Sequence, residues 1–61
     1  MANLEKIIGR LDRANKTINN VIVDLAKDLE TDRDEVKEMR DAYILIAYSI
    51  DRLRKRNEQQ H

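Results

Sequence analysis

The chain has 61 residues, no cysteine and a single histidine, and its twelve basic side chains balance its twelve acidic ones. A core this small rarely offsets the entropy lost on folding without disulfides, a bound metal or oligomerisation. Because the only histidine is His61 at the C-terminus, the first two means are excluded and oligomerisation is expected. The zero formal charge gives no long-range attraction to nucleic acid or to a membrane surface.

Apolar side chains recur every three or four residues in two segments that are separated by one short polar stretch. This spacing puts the apolar residues of each segment on one side of a helix. The sequence therefore predicts an all-α protein, an antiparallel two-helix hairpin whose two apolar stripes face each other. The first stripe comprises Leu4, Ile7, Leu11, Ala14, Ile18, Val21 and Leu25, and the second comprises Val36, Met39, Tyr43, Ile46, Ile50 and Leu53.

Capping residues indicate where the two helices begin. Asn3 is the candidate N-cap of the first helix, and Thr31 or Asp32 is that of the second. Because neither proline nor glycine marks the turn, one continuous helix remains the alternative. Residues 1–61 are expected to form a single domain, with helix one at about 3–29, the turn at about 30–32, helix two at about 33–57 and a frayed tail to residue 61.

The facing stripes also predict which residues meet across the hairpin. With a turn near residue 31, Leu25 faces Val36 and Ala14 faces Ile46. The second of these pairs sets a small side chain against a large one, as complementary packing between helices requires.

Large apolar residues outside the two stripes predict a further contact surface. Self-association would bury such a surface and produce a four-helix bundle of two hairpins or a larger helical oligomer. Docking of a different protein is the competing interpretation. The predicted interface residues are Ile22, Val23, Ile44, Leu45 and Tyr48.

The sequence predicts no catalytic residue, no cofactor site and no metal ligand, because it has no cysteine nucleophile and no base placed near a hydroxyl. One acidic run matches positions one, three, five and seven of a calcium-binding loop: Asp28, Glu30, Asp32 and Asp34. Arg33 stands where the loop needs glycine and Met39 where it needs a bidentate glutamate, so calcium binding is rejected.

A row of basic and amide side chains on the first helix is the candidate nucleic-acid contact. A bundle of two hairpins would repeat this row along a ridge suited to phosphate contact. In this general architecture, and in no sequence motif, the chain resembles the Rop-type RNA modulators. The resemblance implies an RNA-binding helical bundle, whereas the zero net charge argues against one. The row comprises Lys6, Arg10, Arg13, Lys16 and Asn20.

The sequence predicts neither an N-terminal signal peptide nor a membrane-spanning segment. The apolar residues from Leu4 to Leu11 are interrupted by charges, and the apolar run from Ala42 to Ile50 is too short to span a bilayer. We therefore expect a cytoplasmic protein without a membrane partner. The sequence favours a small non-enzymatic regulatory or adaptor protein of the inhibitor or modulator type, which binds itself and another protein. Binding of RNA or DNA is the alternative.

Overall fold

A computed structural model describes residues 3–28 and 30–59, and these form two helices, α1 (Leu4–Lys27) and α2 (Arg33–Gln59). The helices pack against each other as a hairpin whose Cα atoms extend over 48 Å in the longest direction. The prediction of an all-α hairpin is confirmed, and the alternative of one continuous helix is wrong. Assembly of hairpins into a bundle remains a prediction.

The first helix begins at the cap that the sequence predicts. The backbone N–H of Glu5 donates to Asn3 Oδ1 at 3.0 Å, which satisfies a donor that the helix cannot pair internally. The helix ends at Lys27, earlier than the predicted residue 29, because Asp28 has an extended backbone (φ −80°, ψ 116°). Leu29 lies outside the described residues.

The turn is built around the carboxylate of Asp28. Its Oδ1 accepts from the backbone N–H of Glu30 at 3.2 Å, and its Oδ2 accepts from Thr31 Oγ1 at 2.8 Å. The hydroxyl of Thr31 and the N–H of Glu30 stabilise the charged form and therefore lower the pKa of Asp28. An aspartate that binds its own backbone in this way makes a turn without glycine or proline.

Asp32 caps the second helix. Its Oδ1 accepts from the N–H of Asp34 at 3.0 Å, and its carbonyl oxygen accepts from the N–H groups of Glu35 and Val36. Thr31, the other candidate cap, donates its hydroxyl to Asp28 instead. The helix continues to Gln59, two residues beyond the predicted end. The two residues that follow, which include His61, lie outside the described part of the chain.

The seam between the helices is formed by a row one residue away from the predicted stripe of α1. Ile8, Asn15 and Ile22 are each only 4% exposed, as is Ile50 on α2. A row at seven-residue spacing that faces one antiparallel neighbour is the pattern of coiled-coil packing. Only three apolar side chains are therefore buried among the described residues of the hairpin.

The predicted placement of Ile7, Ala14 and Val21 in this seam is wrong. Ile7 is 42% and Val21 is 44% exposed, and Ala14 is exposed as well. Adjacent positions on a helix differ by about 100° in direction, so a shift of one residue turns a row away from its neighbour. Because α1 carries apolar residues in both rows, their spacing alone did not decide which row meets α2.

Asn15 is a polar residue inside the seam. Its Nδ2 donates to the backbone carbonyl of Tyr43 at 3.3 Å, which fixes the two helices in an antiparallel register. Its Oδ1 is buried and has no hydrogen-bond partner in the structure. A buried asparagine of this kind selects one register at a cost in stability.

Candidate protein interface

Ion pairs mark one side of the hairpin, which we call the charged side. Asp12 on α1 lies 3.6 Å from Arg54 on α2 and 3.3 Å from Lys16 on its own helix. The ion pair between Asp12 and Arg54 joins the two helices. The residues next to Asp12 on α1 and next to Arg54 on α2 therefore lie on the same side of the hairpin. Such exposed pairs contribute at most about 1 kcal/mol each to the stability of the hairpin. Here they serve to identify which residues lie on the charged side.

An open groove of about 410 Å³ lies on the charged side, toward the turn. Ile22 forms its buried floor, while Val23 and Ile44 are partly exposed along it. The structure thus brings three of the five predicted interface residues together, although Ile22 is enclosed within the hairpin. The groove is lined by Asn19, Ile22, Val23, Ala26, Lys27, Arg40, Tyr43 and Ile44.

The charge of the groove has one sign. Lys27 and Arg40 are its only charged lining residues, and neither takes part in an ion pair within residues 3–28 and 30–59. Two cations beside an apolar floor favour a ligand that combines apolar groups with carboxylates.

Leu45 and Tyr48, the other two predicted interface residues, lie outside the groove. They are 65% and 64% exposed on the part of α2 that faces away from α1. Tyr48 follows Ile44 by one helical turn, so the two side chains are neighbours on the helix surface. Leu45 lies farther round α2, near Ser49 and Arg52.

The opposite side of the hairpin carries a second apolar surface, which we call the open face. On α1 it contains the row that the sequence assigned to the seam, with Ile7 and Val21 exposed. On α2, Tyr43 and Ile50 lie in the seam. The α2 residues of the open face lie on one side of these two, and the α2 residues of the charged side lie on the other. The open face comprises Leu4, Ile7, Leu11, Ala14, Ile18, Val21 and Leu25 on α1, and Met39, Ala42, Ile46, Ser49 and Leu53 on α2.

The open face has no charged side chain among these positions. Four of its members are exposed and the remaining eight are only half-buried by the hairpin itself. A contiguous apolar surface that water can reach is a candidate contact site in a folded protein. Of the α1 stripe that the sequence assigned to the seam, Ile7, Ala14 and Val21 are exposed. The other members of the two predicted stripes are half-buried or buried. The sequence signal for this exposure is the second apolar row of α1, Ile8 and Ile22, which takes the buried position in the seam.

The predicted nucleic-acid row lies on the outward side of α1, and all five of its members are exposed. Lys16 is paired with Asp12, which also approaches Arg54, so the positive charge of Lys16 is partly neutralised. Lys6, Arg10 and Arg13 have no ion pair within the described ranges. The row is therefore continuous but only modestly basic.

The acidic residues of the turn serve to build it. Asp28 and Asp32 accept hydrogen bonds from the chain's own backbone, and no group of three acidic, histidine or cysteine side chains within residues 3–28 and 30–59 is arranged to hold a metal ion.

Comparison of the chain with models of known protein families, with curated proteins and with solved structures gives no match in any of the three. Across the described part of the chain, neither helix is both long and apolar enough to cross a membrane.

Proposed function

We propose that this protein is a small non-enzymatic regulatory or adaptor protein that acts by binding another protein through the groove on its charged side. The observation that carries the proposal is the apolar groove between α1 and α2, with Ile22, Val23 and Ile44 converging in it. A groove between two helices is a common receptor for the apolar side of a third helix.

The partner segment is an amphipathic helix with acidic residues beside its apolar anchors. Its apolar side chains would cover Val23, Tyr43 and Ile44, and its carboxylates would pair with Lys27 and Arg40. Tyr48 would extend the contact along the outer surface of α2, since it lies one turn from Ile44. Aromatic and aliphatic anchors at the centre of such a contact supply most of its binding energy.

A capture experiment tests this function. Tagged protein is used to isolate partners from the native cell, with nuclease added to one half of each sample. We expect a protein partner that survives nuclease and is lost with Ile44→Glu, because a carboxylate in the groove repels an acidic segment and is costly to bury. Retention of every partner by Ile44→Glu would contradict the groove as the binding site.

The exposed row on α1 supports one alternative, a nucleic-acid-binding bundle of the Rop type. Lys6, Arg10 and Arg13 project outward without ion pairs in the described structure, and phosphate contacts need such cations. The matched variant changes these three residues to glutamine. Since the positions lie outside the seam, we expect folding to be kept within a few tenths of a kcal/mol.

The two functions give opposite results in these variants. If the groove carries the function, the triple glutamine variant keeps its partner and its activity in the cell. If the row carries it, that variant loses nucleic acid, which would also dissociate from the parent protein steeply as salt rises. A cytoplasmic location, expected from the sequence, stays a prediction in either case.

A further inference from the structure

We propose that the open face is covered by a second copy of this chain, through a two-fold axis that runs perpendicular to the helices. In this arrangement α1 packs antiparallel on α1 of the second copy, and α2 packs antiparallel on α2 of the second copy. The open face lies on the opposite side of the hairpin from the groove, so this inference does not depend on the proposed function.

The order of large and small apolar side chains along the open face of α1 is nearly the same in both chain directions. If Ala14 lies at the axis against its own copy, Leu11 faces Ile18, Ile7 faces Val21 and Leu4 faces Leu25, all within one residue of the same register. Each large side chain then meets another apolar one, and the small alanines allow a close approach at the centre. Only a second copy in the antiparallel direction repeats this order.

The open face of α2 has the same property. With Ile46 at the axis, Ala42 faces Ser49 and Met39 faces Leu53. The two centres are mutually consistent, because Asn15 beside Ala14 bonds to Tyr43, which lies less than one turn from Ile46. A single axis therefore satisfies both helices of the hairpin.

Charges at the edge of the open face select this axis over the alternative that runs parallel to the helices. In the proposed arrangement Glu38 of one copy faces Arg52 of the other, and this pair of opposite charges occurs twice. In the alternative, α1 packs on α2 of the second copy, so Arg10 meets Arg52 and Asp24 meets Glu38. Like charges in these positions disfavour the alternative.

The open face has the area of a small dimer interface. Its row spans about 32 Å on α1 and about 21 Å on α2 at 1.5 Å per residue, and each helix is roughly 10 Å wide. These dimensions give about 530 Å² on each copy and about 1,060 Å² in total, at the small end of specific interfaces. The dimer also buries the apolar surface that one hairpin needs, since each hairpin alone buries only three apolar side chains among its described residues.

Disulfide trapping tests the axis directly, because the chain has no cysteine of its own. Ala14→Cys places two thiols near the axis and is expected to form a cross-linked dimer rapidly on mild oxidation. Val21→Cys is the matched control: the two copies of residue 21 lie about 20 Å apart, far beyond the reach of a disulfide. A mixture of Ile7→Cys and Val21→Cys chains is expected to restore the cross-link between unlike chains.

Three results would overturn the proposal. The first is a mixture of Ala14→Cys and Ile46→Cys chains that cross-links faster than Ala14→Cys alone, which would indicate the parallel axis. The second is equal cross-linking of Ala14→Cys and Val21→Cys, which would indicate random collision. The third is a parent chain that stays monomeric and folded at micromolar concentration. None of these results bears on the groove, so failure here is distinguishable from failure of the proposed function.

Discussion

The open face and the charged side of this hairpin flank the same seam, yet they differ in the charged residues that surround their apolar side chains. Apart from Ser49, the open face is apolar from Leu4 to Leu25 on α1 and from Met39 to Leu53 on α2, without a charge among its positions. On the charged side the apolar groove is short. Lys27 and Arg40 line it near the turn, and the ion pairs of Asp12 lie farther from the turn.

This difference suits the open face to the proposed permanent contact and the groove to the proposed selective one. An uncharged surface from Leu4 to Leu25 and from Met39 to Leu53 gains free energy from any apolar cover of matching shape, and we propose a second copy as that cover. A short groove framed by cations discriminates between partners by charge. The same two helices can thus carry assembly on one side and recognition on the other.

Glutamate at Ile46 or at Ile44 gives the largest expected contrast between the two sides. The positions hold the same residue type on the same helix, two residues apart, and lie on opposite sides of the seam. In Ile46→Glu two carboxylates meet near the proposed axis, and we expect a loss of several kcal/mol and dissociation of the dimer. In Ile44→Glu the mass in solution and the thermal unfolding midpoint should stay within error of the parent. Equal effects of the two substitutions would remove the distinction between the sides.

Asn15→Leu changes the seam that both sides share. The buried Oδ1 of Asn15 has no partner, so an apolar side chain of similar size is expected to raise the free energy of unfolding by about 1–3 kcal/mol. Chemical denaturation of the parent and the variant measures this change. A less stable variant would mean that the hydrogen bond to the carbonyl of Tyr43 outweighs the orphaned oxygen.

Gly9→Ala is expected to stabilise α1 without affecting either contact. A Cβ at this position meets no atom within 4 Å, and glycine inside a helix costs about 1 kcal/mol relative to alanine. The unfolding midpoint should therefore rise while the dissociation constant of the dimer stays the same. A weaker dimer in this variant would place Gly9 in the contact between copies and so contradict the assigned open face.

The smallest expected effect concerns the turn that closes both sides at one end. The pKa of Asp28 is lowered by its hydrogen bonds to Thr31 and Glu30, so the folded state favours the carboxylate. Its contribution to stability is fully present above the ordinary value of 3.8 and is lost as the pH falls through the lower folded pKa. The difference in unfolding midpoint between the parent and Asp28→Ala should be constant near neutral pH and shrink below that value. A difference that grows on acidification would contradict this role.

The residues that were predicted well are those whose partners are close in the sequence. Asn3 and Asp32 cap their helices as expected, because a cap depends only on the next three residues. The end of α1 at Lys27 was not predicted, because the sequence shows only an acidic residue at position 28. The hydrogen bonds of Asp28 to Glu30 and Thr31, which form the turn, appear only in the structure.

The choice of the seam could not be made from the spacing alone. Ile8 and Ile22 form one apolar row on α1, and Ile7 and Val21 form another one residue away, so either row satisfies the helical period. The buried Asn15 lies in the first row, and a polar side chain inside an apolar row weakens the signal of that row in the sequence. In the structure its bond to the Tyr43 carbonyl offsets part of the cost of burying it.

The candidate interface residues were predicted only in part for the same reason. Val23 and Ile44 line the groove as an exposed surface, while Ile22 belongs to the seam and Leu45 and Tyr48 lie elsewhere on α2. Which exposed residues converge depends on the crossing of the two helices, and a single helical pattern does not contain that information.

Sedimentation equilibrium over chain concentrations from about 1 to about 100 μM measures whether a second copy covers the open face, because an assembly held by mass action responds to concentration. We expect twice the mass of one chain for the parent and for Ile44→Glu, and a shift toward the mass of one chain for Ile46→Glu. A parent that has the mass of one chain at every concentration while remaining helical would contradict the claim that the open face is covered by a second copy.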